Sequence, residues 1–135
     1  MTRPEPVGRT MTAFEEQVGQ RTGLSDTTEI ERLTRATIRA LSERLAAGQL
    51  NDLEPALPPE LREELHSFGG QAVSFDKETF LDQVSGEIDT VDVDEVERRV
   101  SAVLGVLLAW APGEEIEDTI AQLPPDLAEM FRGAP

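Results

Sequence analysis

Apolar residues in the first half of the chain fall into helical stripes. Ile30, Leu33, Thr37, Leu41 and Leu45 recur at spacings of three and four, which is one face of a helix with 3.6 residues per turn. Arg32, Arg35 and Arg39 are assigned to the opposite side. Asp26 with Glu29 three positions on gives the start signal, and Gly48 is the expected stop. Upstream, Thr12 with Glu15 opens a shorter helix through Phe14 and Val18, which Gly23 ends near Thr22. Downstream, Asn51 or Asp52 caps a short third helix. That helix must end near Leu57, because Pro58 disfavours helical geometry at the residue before it. Pro59 and Glu60 suit the first turn of a fourth helix, and Leu61 and Leu65 return apolar surface to the core.

The same order recurs 66 positions later without a gap. Leu57-Pro58-Pro59-Glu60-Leu61 is answered by Leu123-Pro124-Pro125-Asp126-Leu127. Phe14 falls on Phe80, Gln17 on Gln83, Val18 on Val84, Asp26 on Asp92, Glu29 on Glu95 and Leu41 on Leu107. The expected fold is all-α: two tandem homologous helical repeats packed as a single pseudo-two-fold bundle. Residues 1–11 read as a mobile tail and 12–132 as one domain. Repeat one spans 12–66, a linker with Gly69-Gly70 spans 67–75, and repeat two spans 76–132. In the second copy Phe75 and Phe80 form a hydrophobic staple around a helix running to about Glu87. A unit this small buries little of its surface alone, so the copies are expected to cover each other.

The second long helix differs from the first. Val93, Val96, Val100, Val103, Leu107 and Trp110 form its stripe, and Leu104, Val106 and Leu108 widen the apolar surface. Ser101, Gly105 and Ala109 stand where the first copy has Arg35, Arg39 and Glu43. Small residues four apart let another helix approach closely. A helix apolar nearly all round is a buried one, so 92–111 is expected at the centre beside 26–47, ending at Pro112-Gly113. The small-residue side is then covered within a monomer or forms a homodimer interface.

Charge narrows the function. The net charge of −15 repels a phosphate backbone and an anionic membrane surface, so neither nucleic acid nor membrane is an expected partner. The absence of cysteine removes disulfides, thiolate metal sites and cysteine nucleophiles. The opening Met1-Thr2-Arg3-Pro4 lacks the apolar segment of a signal peptide, and a cytoplasmic location is expected. His66, the one histidine, reads as a surface residue rather than a general base. The run Glu114, Glu115, Glu117 and Asp118 lacks the spacing of a calcium loop and reads as a solvated helix start. No catalytic residue, metal site or cofactor is assigned. Arg32, Arg35 and Arg39 could hold an anion or acidic partner, against plain surface pairing with Glu29, Glu31 and Glu43. Trp110 reads as core, or as the lining of a pocket.

The paired elements resemble a known group. Phe14, Val18, Glu31, Arg32, Leu41 and Leu57 to Leu61, followed by Phe80, Val84, Glu97, Arg98, Leu107 and Leu123 to Leu127, look like the bacterial family catalogued as domain of unknown function 2267. The resemblance covers about residues 12–132 and implies a small all-helical bacterial protein. In some relatives it is joined to regulatory or stress-linked modules, and it brings no catalytic residue. Three functions are expected from all this: a non-catalytic interaction module with an unidentified protein partner, a small-molecule binder or enzyme with a pocket between the repeats, or a stress role for the acidic exterior.

Overall fold

The computed structural model describes residues 10–68, 76–88, 92–111 and 113–132, with 66–68 as backbone only. These residues form eight α-helices and no strand. They are α1 (Met11–Thr22), α2 (Thr27–Ser42), α3 (Ala47–Leu53), α4 (Pro59–Phe68), α5 (Lys77–Ser85), α6 (Val93–Trp110), α7 (Gly113–Ala121) and α8 (Pro125–Arg132), with a 3-10 turn at Glu54–Ala56 between α3 and α4. The all-α expectation holds. First residues 11 and 77, 27 and 93, 47 and 113, 59 and 125 each differ by 66.

Local chemistry sets these boundaries. The Asp26 carboxylate accepts from the N–H groups of Thr28 and Glu29, and Asp92 does the same for Asp94 and Glu95. Each satisfies N–H groups that have no partner inside a helix. Gly23 closes α1 at φ 81°, a conformation that favours glycine. Leu57 is extended, φ −111° and ψ 149°, as the following proline demands. Both proline corners are anchored as expected, with Leu57, Leu61, Leu123 and Leu127 all buried.

Other boundaries differ from expectation. The cap of α1 is Thr10, whose Oγ1 accepts from the Ala13 N–H at 3.1 Å, not Thr12. α2 stops at Ser42, and Gly48 lies inside α3. The cap position of α3 is Ala46, which has no side-chain oxygen to offer, and Asn51 and Asp52 are interior to it. The Gln122 side chain supplies the missing partner from the other half, accepting from the Ala46 N–H at 2.9 Å. α5 ends at Ser85, before Glu87, and Gly113 opens α7. Val93, expected in the apolar stripe, is 59 % exposed. The Phe75 staple, the linker glycines and Pro112 lie outside the described residues.

One core runs through both halves. α2 packs on α4, α5, α6 and α1, while α6 packs on α1, α2, α5 and α8, and α3 meets α7. The cross-contacts are reciprocal, since α1 rests on α6 and its counterpart α5 rests on α2. Phe14 of α1 and Phe80 of α5 are fully buried. α2 and α6 share the centre, as expected. α2 buries Ala36, Ile38 and Ala40 as well as its predicted stripe, a width the arginines concealed in the sequence.

Candidate functional site

The densest polar convergence lies between α2 and α4. Arg35 and Arg39, one turn apart on α2, both reach Glu64 on α4. Arg35 Nη1 lies 3.2 Å from Glu64 Oε2, and Arg39 Nε lies 3.1 Å from Oε1. Arg35 Nε also pairs with Glu31 at 3.0 Å, and Arg39 Nη1 with Glu87 at 3.3 Å. Glu64 keeps only 13 % of its side-chain exposure, so the network is screened less than a surface pair. Burial alone would push the Arg35 guanidinium down; hydrogen bonds to Glu31 and Glu64 outweigh it and hold it above its ordinary value. Of the expected partners, Glu31 pairs with Arg35, whereas Glu43 accepts from Gln83 Nε2 at 2.9 Å. Arg32 is exposed. Arg35 and Arg39 are engaged by carboxylates from neighbouring elements that one-dimensional spacing does not reveal.

The small-residue side of α6 divides. Gly105 is buried, Ser101 half-buried and Ala109 exposed. By the 66-residue offset, Ser101, Gly105 and Met130 take the places of Arg35, Arg39 and Glu64. Met130 of α8 is 8 % exposed.

A further polar residue escaped the sequence reading. Arg44, just beyond α2, is 1 % exposed. Its Nη1 donates to the Ala40 carbonyl at 2.6 Å and to Gln83 Oε1 at 3.3 Å, and its Cζ lies 4.9 Å from the centroid of the Phe80 ring. Burial pushes its guanidinium down, against opposing pulls from Glu43 and Asp76. The counterpart of Arg44 is Trp110, whose ring meets Phe14 edge-on at 5.0 Å and 78°. Trp110 is thus core, as expected. Only the duplicated register exposes Arg44 as the residue standing where its twin is an indole.

Open grooves lie among the described residues. One, about 620 Å³, lies between α1 and the start of α2, with Glu15, Glu16, Gly19, Leu24 and Ile30 in its lining. A second, about 410 Å³, is bounded by Leu81, Asp82, Val93 and Glu97. A third, about 280 Å³, lies by Lys77, Ser101 and Met130. Each is lined by one half of the chain. Where the halves meet, Gln49 makes a further buried polar contact, donating to Thr119 Oγ1 at 2.9 Å and the Glu115 carbonyl at 3.1 Å. Glu114 and Glu115 fall in the first turn of α7, as expected. The His66 side chain lies outside the described residues. Among those described, no cluster of three or more histidine, cysteine or acidic residues could hold a metal, and no helix is long and apolar enough to cross a membrane.

No curated protein matches the chain. A family model described as uncharacterized conserved protein (DUF2267) matches residues 12–130. That span contains every α-helix above except the ends of α1 and α8, and with it the chain belongs to the DUF2267 family.

Proposed function

We propose that this protein is a non-catalytic helical module, located in the cytoplasm, that works by binding another protein. The observation that carries this reading is the engagement of the strongest polar groups. Arg35, Arg39, Glu31, Glu64 and Glu87 satisfy one another, whereas a catalytic constellation holds groups ready for a substrate. The open grooves, each within one half, favour contact with a protein surface over enclosure of a small molecule. The net charge of −15 selects against nucleic acid and favours partners with a basic face. It also opposes self-association, so the working form is a monomer.

The test is reciprocal capture. The intact tagged chain, expressed in its native host, should retain a defined protein, and that protein when tagged should retain the chain. Turnover of any metabolite by the purified chain would overturn the reading, as would a tightly held small molecule recovered from it by mass spectrometry.

A further inference from the structure

The groove between α1 and α2 carries two carboxylates whose side chains make no direct ion pair among the described residues. Glu15 is half-buried and Glu16 exposed along its edge. Neither makes a hydrogen bond or ion pair among the described residues. The Glu15 carboxyl is held above its ordinary value by burial and by repulsion from Glu31 and Glu60, with Arg35 opposing. Apolar surface from Leu24 and Ile30 forms the floor. Gly19 brings α1 close to that floor: a Cβ there would lie 3.2 Å from Ile30 Cδ1.

The other half shows what such a groove accommodates. The equivalent groove lies between α5 and the start of α6, with Leu81, Asp82 and Val93 at the places of Glu15, Glu16 and Thr27. It already contains a cation. Lys77 lies in it, with Nζ 3.3 Å from Glu97, the counterpart of Glu31. In the first half the residue at the Lys77 position is Met11.

We propose that the α1–α2 groove seats a lysine or arginine side chain from a basic segment of a protein partner, against Glu15 and Glu16, with an adjacent apolar residue of that segment on Leu24 and Ile30. The assignment rests on the binding reading above and names the partner's chemistry. From Thr12 to Gln20 the groove follows about 12 Å of helix, enough for about four extended residues. A half-buried carboxylate with like charges nearby is stabilised in its ionised form by an arriving cation. Binding should therefore weaken as the pH falls through the raised Glu15 value.

The probe is a short peptide alternating Lys or Arg with Leu, titrated into the full chain by fluorescence anisotropy and by NMR. Amide shifts should centre on Thr12, Gly19, Leu24 and Ile30. Glu15→Gln should weaken binding about tenfold, the loss of one charge-assisted contact. Glu117→Gln, on α7 outside the groove, should leave it within about twofold, a margin of less than half a kcal/mol. Thermal unfolding of both variants confirms that each is folded. Equal weakening by the two would reduce the effect to a diffuse acidic field and overturn the assignment. So would spermidine producing the same shifts and displacing the peptide at matched charge. If the peptide does not bind but reciprocal capture succeeds, the groove assignment falls and the broader binding reading stands.

Discussion

The α2–α4 and α6–α8 interfaces stand at equivalent places in the two halves and are held by different physics. In the first, Glu64 bridges Arg35 and Arg39. In the second, the buried Met130 and the half-buried Ser101 border an open groove. The first arrangement gains attraction between charges and loses hydration of each. The second buries apolar surface at Met130 without desolvating a charge. Helices beginning at the same relative positions result from both. The helical plan is therefore set by what the halves have in common: the Asp26 and Asp92 caps, the proline corners and the crossed phenylalanines. The interface chemistry differs between the halves, as it does between Arg44 over Phe80 and Trp110 against Phe14.

The comparison can be broken most severely at the rings. Phe14→Ala and Phe80→Ala should each cost about 3–5 kcal/mol in urea unfolding. Phe80→Ala should be the worse of the two, because it strips a buried guanidinium of its ring. Equal losses would mean that Arg44 gains nothing from Phe80. Next comes the bridging carboxylate. Glu64→Met leaves two arginines without their shared anion and should cost about 1–3 kcal/mol. Adding Arg35→Ser and Arg39→Gly, which imports the second half's set, should bring stability back to within about 1 kcal/mol of the parent, the cost of a mid-helix glycine. A mutant cycle that is simply additive would show the three residues to be uncoupled.

Smaller effects sharpen the contrast. Thr34 and Thr37 are fully buried in α2, and their hydroxyls find no hydrogen-bond partner; the second half has Val100 and Val103 there. Thr34→Val and Thr37→Val should each stabilise by up to about 1 kcal/mol, since an unsatisfied buried hydroxyl is lost. The smallest effect is Glu15→Gln. The folded state holds the Glu15 proton more tightly than the unfolded chain. Its ionised form therefore lowers stability above the raised value, and that loss disappears as the pH falls towards the ordinary carboxylate range. The variant should be slightly more stable than the parent at pH 7, by less than about 1 kcal/mol, and equal to it in acid. A gain that persists in acid would exclude charge as its cause.

The helices were legible because their signals are local. Asp26, Asp92, Gly23 and the proline pairs act within a turn of where they stand, and the stripe from Ile30 to Leu45 needs only periodicity. The misplaced boundary at α3 has a non-local cause. Ala46 is capped by Gln122, far along the chain, and no reading of residues 46–52 could find that partner. The arginines' further partners were hidden for the same reason. Helical spacing offered Glu31, but Glu64 and Glu87 arrive from other elements. Arg44 shows the reverse failure: composition marks it as surface, and only its register with Trp110 pointed inward.

Phe14 meets Trp110, and Phe80 lies under Arg44, each across the seam between the halves. A polypeptide severed between α4 and α5 would yield two fragments that part both of these contacts. Such fragments should find one another in a test tube, which makes the seam between them a natural place to divide the gene for a complementation reporter.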